Sequence, residues 1–310
     1  MLFQAPPSVD AGTFITVPDA LRTGDPHSHW NQARPGHAFT SFLEGPSFDL
    51  QGNLWCVDVV NGRLYRITPT GQLSVGLEYA GTPNGLKIHA DGRIFITDST
   101  LGIMCFDPET HRIQPFLTET RGQPLKGVND LFFARNGDLY FTDQGSTGLH
   151  DPTGRVFRYS STGQLTCLLD NVPSPNGLVM NLEENVLYLA VTRANAIWRI
   201  GIDADGTASR VGVFIQLSAG VGPDGLALDQ EGRLYVAHPG LGTVWGFEAN
   251  GEPFVRIRTR QGTQPTNLAF GGPDRQTLAI TEAASGTICQ LRTIAPGKPM
   301  FSHLSTLTPT

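Results

Sequence analysis

Residues 82–98 read TPNGLKIHADGRIFITD, and this segment carries a pattern of polar, apolar and turn residues. A small polar residue and Gly-Leu open a short apolar run. A turn follows at Asp91-Gly92, and a second apolar run ends on Asp98. Both runs have the length and composition of β-strands, and Asp-Gly between them is a strong turn signal. The stretch therefore predicts two neighbouring strands joined by a tight turn.

The same pattern recurs six times along the chain. The second runs are GNLWCVD (52–58), GRIFITD (92–98), GDLYFTD (137–143), NVLYLAV (185–191), GRLYVAH (232–238) and QTLAITE (276–282). Successive runs start 40, 45, 48, 47 and 44 residues apart, a repeat length typical of a solenoid or a propeller. Four-stranded sheets repeated radially make a β-propeller. We therefore predict an all-β fold, a six-bladed β-propeller with a central channel, as a single domain over residues 1–310.

Two strand-like segments, residues 12–17 and 288–294, lie outside these six units. We expect one blade to take strands from both ends of the chain, which would lock the ring. Residues 24–37 are irregular and polar, and we expect a long loop there that covers one face.

Composition narrows the function classes. The chain has 310 residues and a formal net charge of -6, which argues against nucleic acid and anionic membranes as partners. No run is apolar and long enough to span a bilayer, and the first residues lack the features of a signal peptide. The four cysteines are widely spaced, which favours buried thiols in a cytoplasmic protein. The oligomeric state is left open.

One polar position repeats before each first apolar run. Counting back eight or nine residues from the turns gives equivalent positions that the ring would bring together on one face. They are Glu44, Asn84, Asn129, Asn176, Asp224 and Asn267. Two carboxylates and several amide oxygens form the ligand set that hard cations such as Ca²⁺ and Mg²⁺ prefer. Asn and Asp before Gly are also ordinary turn residues, but Glu44 at the same register is a poor turn former.

A second set of residues ends the second runs, near the same face. Its members are Asp58, Asp98, Asp143, Val191, His238 and Glu282, with Arg193 two residues past the fourth. An Asp at a strand end commonly caps a turn, which is the expected role of Asp58 and Asp98. His238 is of chemical interest because histidine titrates near neutral pH. We include Asp143, Arg193 and His238, with Asn84 and Asn267, among the expected substrate contacts.

Taken in order, these motifs resemble the SMP-30/gluconolactonase/LRE-like family. The resemblance runs from about Phe42 to Leu291 and rests on EGP (44–46), ND (129–130), PNG (175–177), PDG (223–225) and TNLAFGG (266–272). It implies a six-bladed propeller with a divalent ion at the mouth of its channel, Ca²⁺ first and Mg²⁺, Mn²⁺ or Zn²⁺ as alternatives. Family members hydrolyse sugar lactones and other lactones, and relatives hydrolyse organophosphates.

Carried over by motif, the metal ligands implied by the resemblance fall on Glu44, Asn129, Asn176 and Asp224. Asp224 would also be the general base, with His238 as the alternative. The ion would polarise the lactone carbonyl. One departure concerns the substrate, because some sugar-lactone members have an Arg at the position of Gly127. The small-molecule partner implied is a lactone.

Two rival functions stay open at this point. A phosphotriesterase-like hydrolase would use the same ligands with a different pocket, and substrate profiling separates it from a lactonase. A non-enzymatic propeller would bind Ca²⁺ for structure and present its loops to a protein partner.

Overall fold

The computed structural model describes residues 5–25, 27, 29–32 and 38–306 of the chain. These residues form 26 strands, and their helices are short. The helices are a 3-10 turn at Asp19–Leu21, an α-helix at His29–Gln32, and 3-10 helices at Thr192–Ala194 and Phe301–Thr306. No helix in the described part of the chain combines the length and apolarity needed to cross a membrane. Of the loop predicted at 24–37, residues 26, 28 and 33–37 lie outside the described residues.

The chain begins with strand β1 (Ser8–Thr16), and four four-stranded sheets follow it. The first sheet contains β2 (Leu43–Phe48), β3 (Leu54–Asp58), β4 (Arg63–Ile67) and β5 (Leu73–Glu78). The second contains β6 (Pro83–Ile88), β7 (Ile94–Asp98), β8 (Gly102–Asp107) and β9 (Arg112–Leu117). A two-stranded hairpin, β10 (Glu119–Thr120) and β11 (Gln123–Pro124), precedes the third. The third contains β12 (Val128–Phe133), β13 (Leu139–Asp143), β14 (Gly154–Tyr159) and β15 (Leu165–Val172). The fourth contains β16 (Pro175–Met180), β17 (Val186–Val191), β18 (Ala196–Ile202) and β19 (Ala208–Gln216).

The remaining strands form one eight-stranded sheet. Its members in chain order are β20 (Leu226–Leu228), β21 (Leu234–His238), β22 (Thr243–Phe247), β23 (Pro253–Thr259), β24 (Pro265–Gly271), β25 (Thr277–Glu282) and β26 (Thr287–Arg292), together with β1. Among the described residues four sheets stand alone, and the last two units are joined into this one sheet. The joint is β1, which pairs in parallel with β23 and antiparallel with β26. The expected closure by strands from both ends of the chain is confirmed.

The first strand of each unit faces the centre of a ring. β2 contacts β6 and β24, and the contacts continue from β6 to β12, β16, β20 and back to β24. The described residues thus form an all-β, propeller-like ring of sheets. We call the end of the ring where these first strands begin the channel mouth.

The burial of the strands explains their composition. The second strands β3, β7, β13 and β21 are buried along their whole length, since neighbouring sheets cover both faces. Such strands read as continuous apolar runs, which is the pattern the repeat showed. Phe141 and Phe157 stack at 5.1 Å between ring centroids in the third sheet. Each large apolar side chain buried in this way contributes roughly 1.5–3 kcal/mol.

A bulge near the start of the first strands controls where their polar residues point. Register shifts occur between Glu44 and Ser47, and at the corresponding places in four further first strands, β6, β12, β16 and β24. A bulge leaves residues out of the ladder and re-aims their side chains. Five of the six repeated polar positions lie in or beside these bulges, at the channel mouth. The sixth, Asp224, precedes β20, whose pairing with β21 has no such shift.

The opposite end of the channel is closed by residues 295–306, which we call the C-terminal strap. The Gln230 amide donates to the Pro296 carbonyl at 2.8 Å, and the Lys298 amide donates to the Leu228 carbonyl at 2.8 Å. Phe301 stacks on Phe133 at 5.6 Å. The cavity left between the first strands and this strap is about 30 Å³, too small for anything larger than one or two waters. Access to the first strands is therefore from the channel mouth.

Candidate functional site

Glu44 lies at the bulge of β2 and is 2% exposed. Both hydrogen bonds to its carboxylate from described residues end on Oε2, from the Gly45 amide at 2.6 Å and from Asn267 Nδ2 at 2.9 Å. Gly45 has φ +53°, and a Cβ there would lie 2.6 Å from the Leu86 nitrogen on the next first strand. Only glycine fits this close approach, which explains the Glu-Gly sequence.

Two carboxylates from other parts of the ring act on Glu44. The pKa of Glu44 is raised, first because burial disfavours its charge and then because the carboxylates of Asp224 and Asp130 repel it. Asp130 is 3% exposed and lies 3.8 Å from the ammonium of Lys87. The sequence pattern drew attention to Asn129 and missed Asp130. The signal was the Asp that follows Asn129, where four other units have Gly.

Asn129 and Asn176 each have a buried side-chain oxygen without a partner. Asn129 donates through Nδ2 to Gln144 Oε1 at 3.0 Å, and Asn176 donates through Nδ2 to Thr192 Oγ1 at 3.1 Å. Among the described residues, neither Oδ1 atom accepts a hydrogen bond. A buried polar atom left unsatisfied costs about 1–3 kcal/mol. Two such oxygens among the predicted ligands fit a bound cation, because a cation needs acceptors with no donor in front of them.

Asp224 precedes β20 and is half-buried. Its amide donates to the Ala237 carbonyl at 2.9 Å. The carbonyl of the preceding Pro223 accepts from Thr192 Oγ1 at 2.8 Å, and the same hydroxyl accepts from Asn176. Thr192 therefore joins the Asn176 side chain to the backbone that carries Asp224, and the two predicted ligands keep a fixed relation.

Asn84 and Asn267 occupy different environments. Asn84 is half-buried, and its Nδ2 donates to the Asn129 carbonyl at 3.1 Å. Asn267 is 1% exposed, and its Nδ2 donates both to Glu44 and to Asp130 Oδ2, the latter at 3.1 Å. Asn84 remains at the channel mouth. Asn267 lies within the wall and bridges two carboxylates.

The residues that end the second strands have protein partners. Asp143 is fully buried and accepts from the Gly127 amide at 2.9 Å and from the Arg155 guanidinium. Arg193 is exposed, and its Cγ lies beside Gly148. Three more members accept several hydrogen bonds from neighbouring turns: Asp58, Asp98 and Glu282. The expected turn-capping role of Asp58 and Asp98 is confirmed.

His238 is held through both ring nitrogens. Nδ1 accepts from Trp245 Nε1 at 3.1 Å, so the proton is on Nε2, which lies 3.0 Å from the Ala219 carbonyl. Burial lowers the pKa of His238, which keeps the ring neutral. In this geometry both ring nitrogens have protein partners, Trp245 and the Ala219 carbonyl, and neither is directed at a substrate.

An aromatic cluster lies at the first sheet. Trp30 contacts Phe42 at 4.8 Å and Phe39 at 6.0 Å between ring centroids. The buried side chain of Asn31 shapes this loop, because it donates to the carbonyls of Asp25 and Phe39 at 2.9 Å each and accepts from the Phe39 amide. The described part of the 24–37 loop is therefore packed against the ring.

The acidic and sulfur-bearing side chains alone do not form a metal site. In the part of the chain that the structure describes, no group of three or more His, Cys, Asp or Glu residues is arranged to hold a metal ion. The predicted set contains two carboxylates, so any cation there would need the amide oxygens of Asn129 and Asn176 as well. Both of those amide oxygens lack a hydrogen-bond partner among the described residues, as Asn195 Oδ1 also does.

Known proteins resemble this chain in both sequence and fold. A lactonase drp35 of Staphylococcus aureus is 30% identical over 225 residues, with 69% of each chain covered. A gluconolactonase of Zymomonas mobilis is 31% identical over 283 residues, covering 81% of this chain and 78% of its own. Among solved structures, a Xanthomonas campestris gluconolactonase matches with a TM-score of 0.72 at 25% identity, covering 81% of this chain and 86% of its own.

A calcium-binding protein, regucalcin, from Agrobacterium tumefaciens has the same fold, with a TM-score of 0.76 at 22% identity, covering 96% of this chain and 98% of its own. The SMP-30/gluconolactonase/LRE-like region model matches residues 42–284. This match includes every predicted site residue from Glu44 to Asn267, in the order that the repeat requires. The chain belongs to the SMP-30/gluconolactonase/LRE-like family.

Proposed function

We propose that this protein is a metal-dependent hydrolase that opens a sugar-type or related lactone to its hydroxy acid. The observation that carries the proposal is the pair of unpartnered amide oxygens, on Asn129 and Asn176, in a ring that also holds Glu44 and Asp224. The related lactonase and gluconolactonase, at 30% and 31% identity, support lactone hydrolysis as the reaction.

The cation we propose is Ca²⁺, held by Glu44, Asn129, Asn176 and Asp224. All four would offer oxygen, which hard divalent cations prefer, and two carboxylates balance a double charge. The description of regucalcin as calcium-binding supports this choice over Mg²⁺, Mn²⁺ and Zn²⁺. When bound, such an ion withdraws electrons from the lactone carbonyl and stabilises the negative charge that develops on its oxygen.

The chain's own groups then complete the hydrolysis. Asp224, half-buried at the channel mouth, accepts the proton of the water that attacks the carbonyl carbon. A carbon–oxygen bond forms to that water, the ring ester bond breaks, and the leaving alkoxide takes up the proton that Asp224 accepted. Asn84, with its side chain at the mouth, contacts the substrate. His238 is a poorer base because both of its ring nitrogens have protein partners.

We also propose that the ring is a six-bladed propeller with the site at its mouth. This reading divides the eight-stranded sheet at the parallel pair of β1 and β23 into two four-stranded blades. Support comes from the closed circuit of contacts among β2, β6, β12, β16, β20 and β24. Substrate would enter at the mouth, since the C-terminal strap fills the other end.

The test is proton release from a panel of γ- and δ-lactones by protein stripped with chelator and resupplied with Ca²⁺, Mg²⁺, Mn²⁺ or Zn²⁺. We expect turnover to return with Ca²⁺. Asp224→Ala should abolish it while the circular dichroism spectrum is retained. Asp107→Ala, which removes a half-buried carboxylate at the end of β8, is the control and should keep full activity. No turnover on the whole panel with Ca²⁺ bound, or an active Asp224→Ala protein, would overturn the proposal.

A further inference from the structure

Three buried polar residues form a connected group of contacts that ends on Glu44. We propose that Lys87, Asp130 and Asn267 position the Glu44 carboxylate so that Oε1 is presented to the cation. This inference rests on the proposed function, because it concerns the cation of that site. The three residues contact Glu44 or one another and are not themselves placed among the ligands.

Asn267 is the direct contact. Its Nδ2 donates to Glu44 Oε2 at 2.9 Å and to Asp130 Oδ2 at 3.1 Å, so both of its protons are used. Its Oδ1 accepts from the Leu268 amide at 2.8 Å, which fixes the orientation of the side-chain amide. With Asn267 and the Gly45 amide both on Oε2, the other oxygen of Glu44 is the one left for a ligand bond.

Asp130 is suited to hold Asn267 only as a carboxylate. Its Oδ1 accepts from the Leu131 amide at 2.8 Å while its Oδ2 accepts from Asn267. An asparagine at 130 has one acceptor oxygen, so it could serve one of these two donors and would turn its own N–H groups toward the other. The neutral, isosteric replacement Asp130→Asn therefore removes one defined hydrogen bond from this group of residues.

Lys87 supplies the charge that Asp130 requires in the wall. Its ammonium lies 3.8 Å from Asp130 Oδ1 and donates to the Leu86 carbonyl at 3.1 Å, and the residue is 9% exposed. Asp224 and Asp130 both repel the Glu44 carboxylate, and one lysine together with one divalent cation would neutralise these three charges. Without Lys87, Asp130 would be a buried, unpaired charge next to the bond that holds Glu44.

A role of Lys87 through its charge alone and a role in positioning predict opposite changes in Ca²⁺ affinity when Lys87 is removed. If Lys87 acted only through its charge, its removal would leave the site more negative and Ca²⁺ would bind more tightly. If Lys87 keeps Asp130 and Asn267 in place, its removal loosens Glu44 and Ca²⁺ binds more weakly. The direction of the change therefore decides between the two roles.

The experiment is calorimetric titration of chelator-stripped protein with CaCl₂. We expect Lys87→Met and Asp130→Asn each to weaken Ca²⁺ binding by about 10–100-fold, the usual effect of removing an outer-shell partner. Lys87→Arg, which keeps the charge, should restore most of the affinity and provides a folded variant if Lys87→Met does not fold. Unchanged or tighter binding in Lys87→Met, or unchanged binding in Asp130→Asn, would overturn the inference.

Lys298→Met is the matched control for removal of a buried lysine. Lys298 also lines the channel but pairs with Glu184 at 2.8 Å, at the end closed by the strap. Its loss should lower stability and leave Ca²⁺ affinity unchanged, and an equal loss of affinity there would overturn the inference by making it an effect of stability. If the wild-type protein binds no Ca²⁺, the proposed function fails and the inference fails with it. Normal wild-type binding with unchanged variants overturns the inference alone.

Discussion

At the scale of single residues, Asn129 and Asn176 carry buried oxygens that lower the stability of the fold and suit the binding of a ligand. Each amide donates one well-placed hydrogen bond, and each buried carbonyl oxygen is left without a donor. A fold selected for stability alone would place an apolar side chain at such a position, since an unsatisfied buried group lowers the free energy of unfolding. The two orphan oxygens are therefore explained by a ligand better than by folding.

We predict that Asn176→Leu abolishes the response to Ca²⁺ with little effect on the stability of the metal-free protein. The change removes the orphan oxygen together with one hydrogen bond, so the free energy of unfolding of the metal-free protein should change by less than about 1 kcal/mol. Added CaCl₂ should raise the melting temperature of the wild type, since a ligand that binds the native state stabilises it, and should not raise that of the variant. Thermal melts with and without CaCl₂ provide the measurement.

Asn31→Leu is the control for this prediction. Asn31 is equally buried, but its amide makes hydrogen bonds to Asp25 and Phe39. Its replacement should lower the free energy of unfolding by about 2 kcal/mol and keep the response to CaCl₂. A calcium response retained in Asn176→Leu would remove Asn176 from the ligand set.

His238 gives a prediction for pH. Its pKa is lowered in the folded protein by burial, so the unfolded chain binds a proton more readily. The stability that His238 contributes is complete above its unfolded pKa of about 6.5 and is lost as the pH falls below that value. His238→Gln should therefore lose less stability than the wild type between about pH 7 and pH 5.

Urea unfolding at the two pH values measures this difference. The extra loss in the wild type is at most about 1.4 kcal/mol for each pH unit. The pKa of His303 is lowered in the same direction by burial and by Arg275, and its contribution is present in both proteins. An equal loss of stability in wild type and variant would show that His238 has the same pKa in the folded and the unfolded protein.

At the scale of elements, the C-terminal strap explains why a propeller-like ring with a channel has almost no empty space in it. Lys298 reaches across the channel and donates to the Met180 carbonyl at 3.2 Å, the Asn181 carbonyl at 2.9 Å and Glu184 Oε1 at 2.8 Å. Its ammonium also lies 5.2 Å from the Phe132 ring. One side chain thus attaches the strap to two sheets.

We predict that Lys298→Met lowers the free energy of unfolding by about 3 kcal/mol. The loss is large because Glu184, whose side chain is 11% exposed, loses its buried partner and keeps the exposed Arg135 at 3.6 Å. Removing one partner of a buried ion pair leaves the other charge in the protein interior. Lys126→Met is the control, since exposed Lys126 donates only to Thr153, and its change should stay within about 0.5 kcal/mol. Equal losses in the two variants would mean that the strap is not an anchoring element.

The elements also show which features can be read from sequence. The hairpins of the repeat were predictable because strand alternation and turn glycines are local, and the turn residues Gly52, Gly92, Gly137 and Gly232 all have positive φ. The strap was not predictable, because residues 295–306 carry no periodic pattern and are fixed by contacts with distant sheets. Asn267 was predicted at the mouth, yet its burial between two carboxylates depends on Asp130, which lies 137 residues away.

At the scale of the whole molecule, β1 decides how the ring closes. Its second half completes a unit with β24, β25 and β26, as the repeat predicted. Its first half pairs in parallel with β23, which joins the last two units into one sheet. A pairing between segments about 250 residues apart leaves no local trace in the sequence, so the joined sheet was missed while the closure was predicted. Asp224 and Asn267 lie on the two sides of this joint.

Deletion of residues 1–11 tests this role of the joint. The deletion removes the pairing from Ser8 to Ala11 with β23 and keeps Gly12–Thr16 on β26. Loss of these hydrogen bonds should lower the free energy of unfolding by about 2–4 kcal/mol. Because the proposed ligands come from different sheets, Ca²⁺ should also bind more weakly once the two sheets can separate. Asp10→Ala is the control, since it removes only the exposed ion pair with Arg260 and should change neither quantity. Unchanged stability and affinity in the deletion variant would show that the ring holds its shape without the joint.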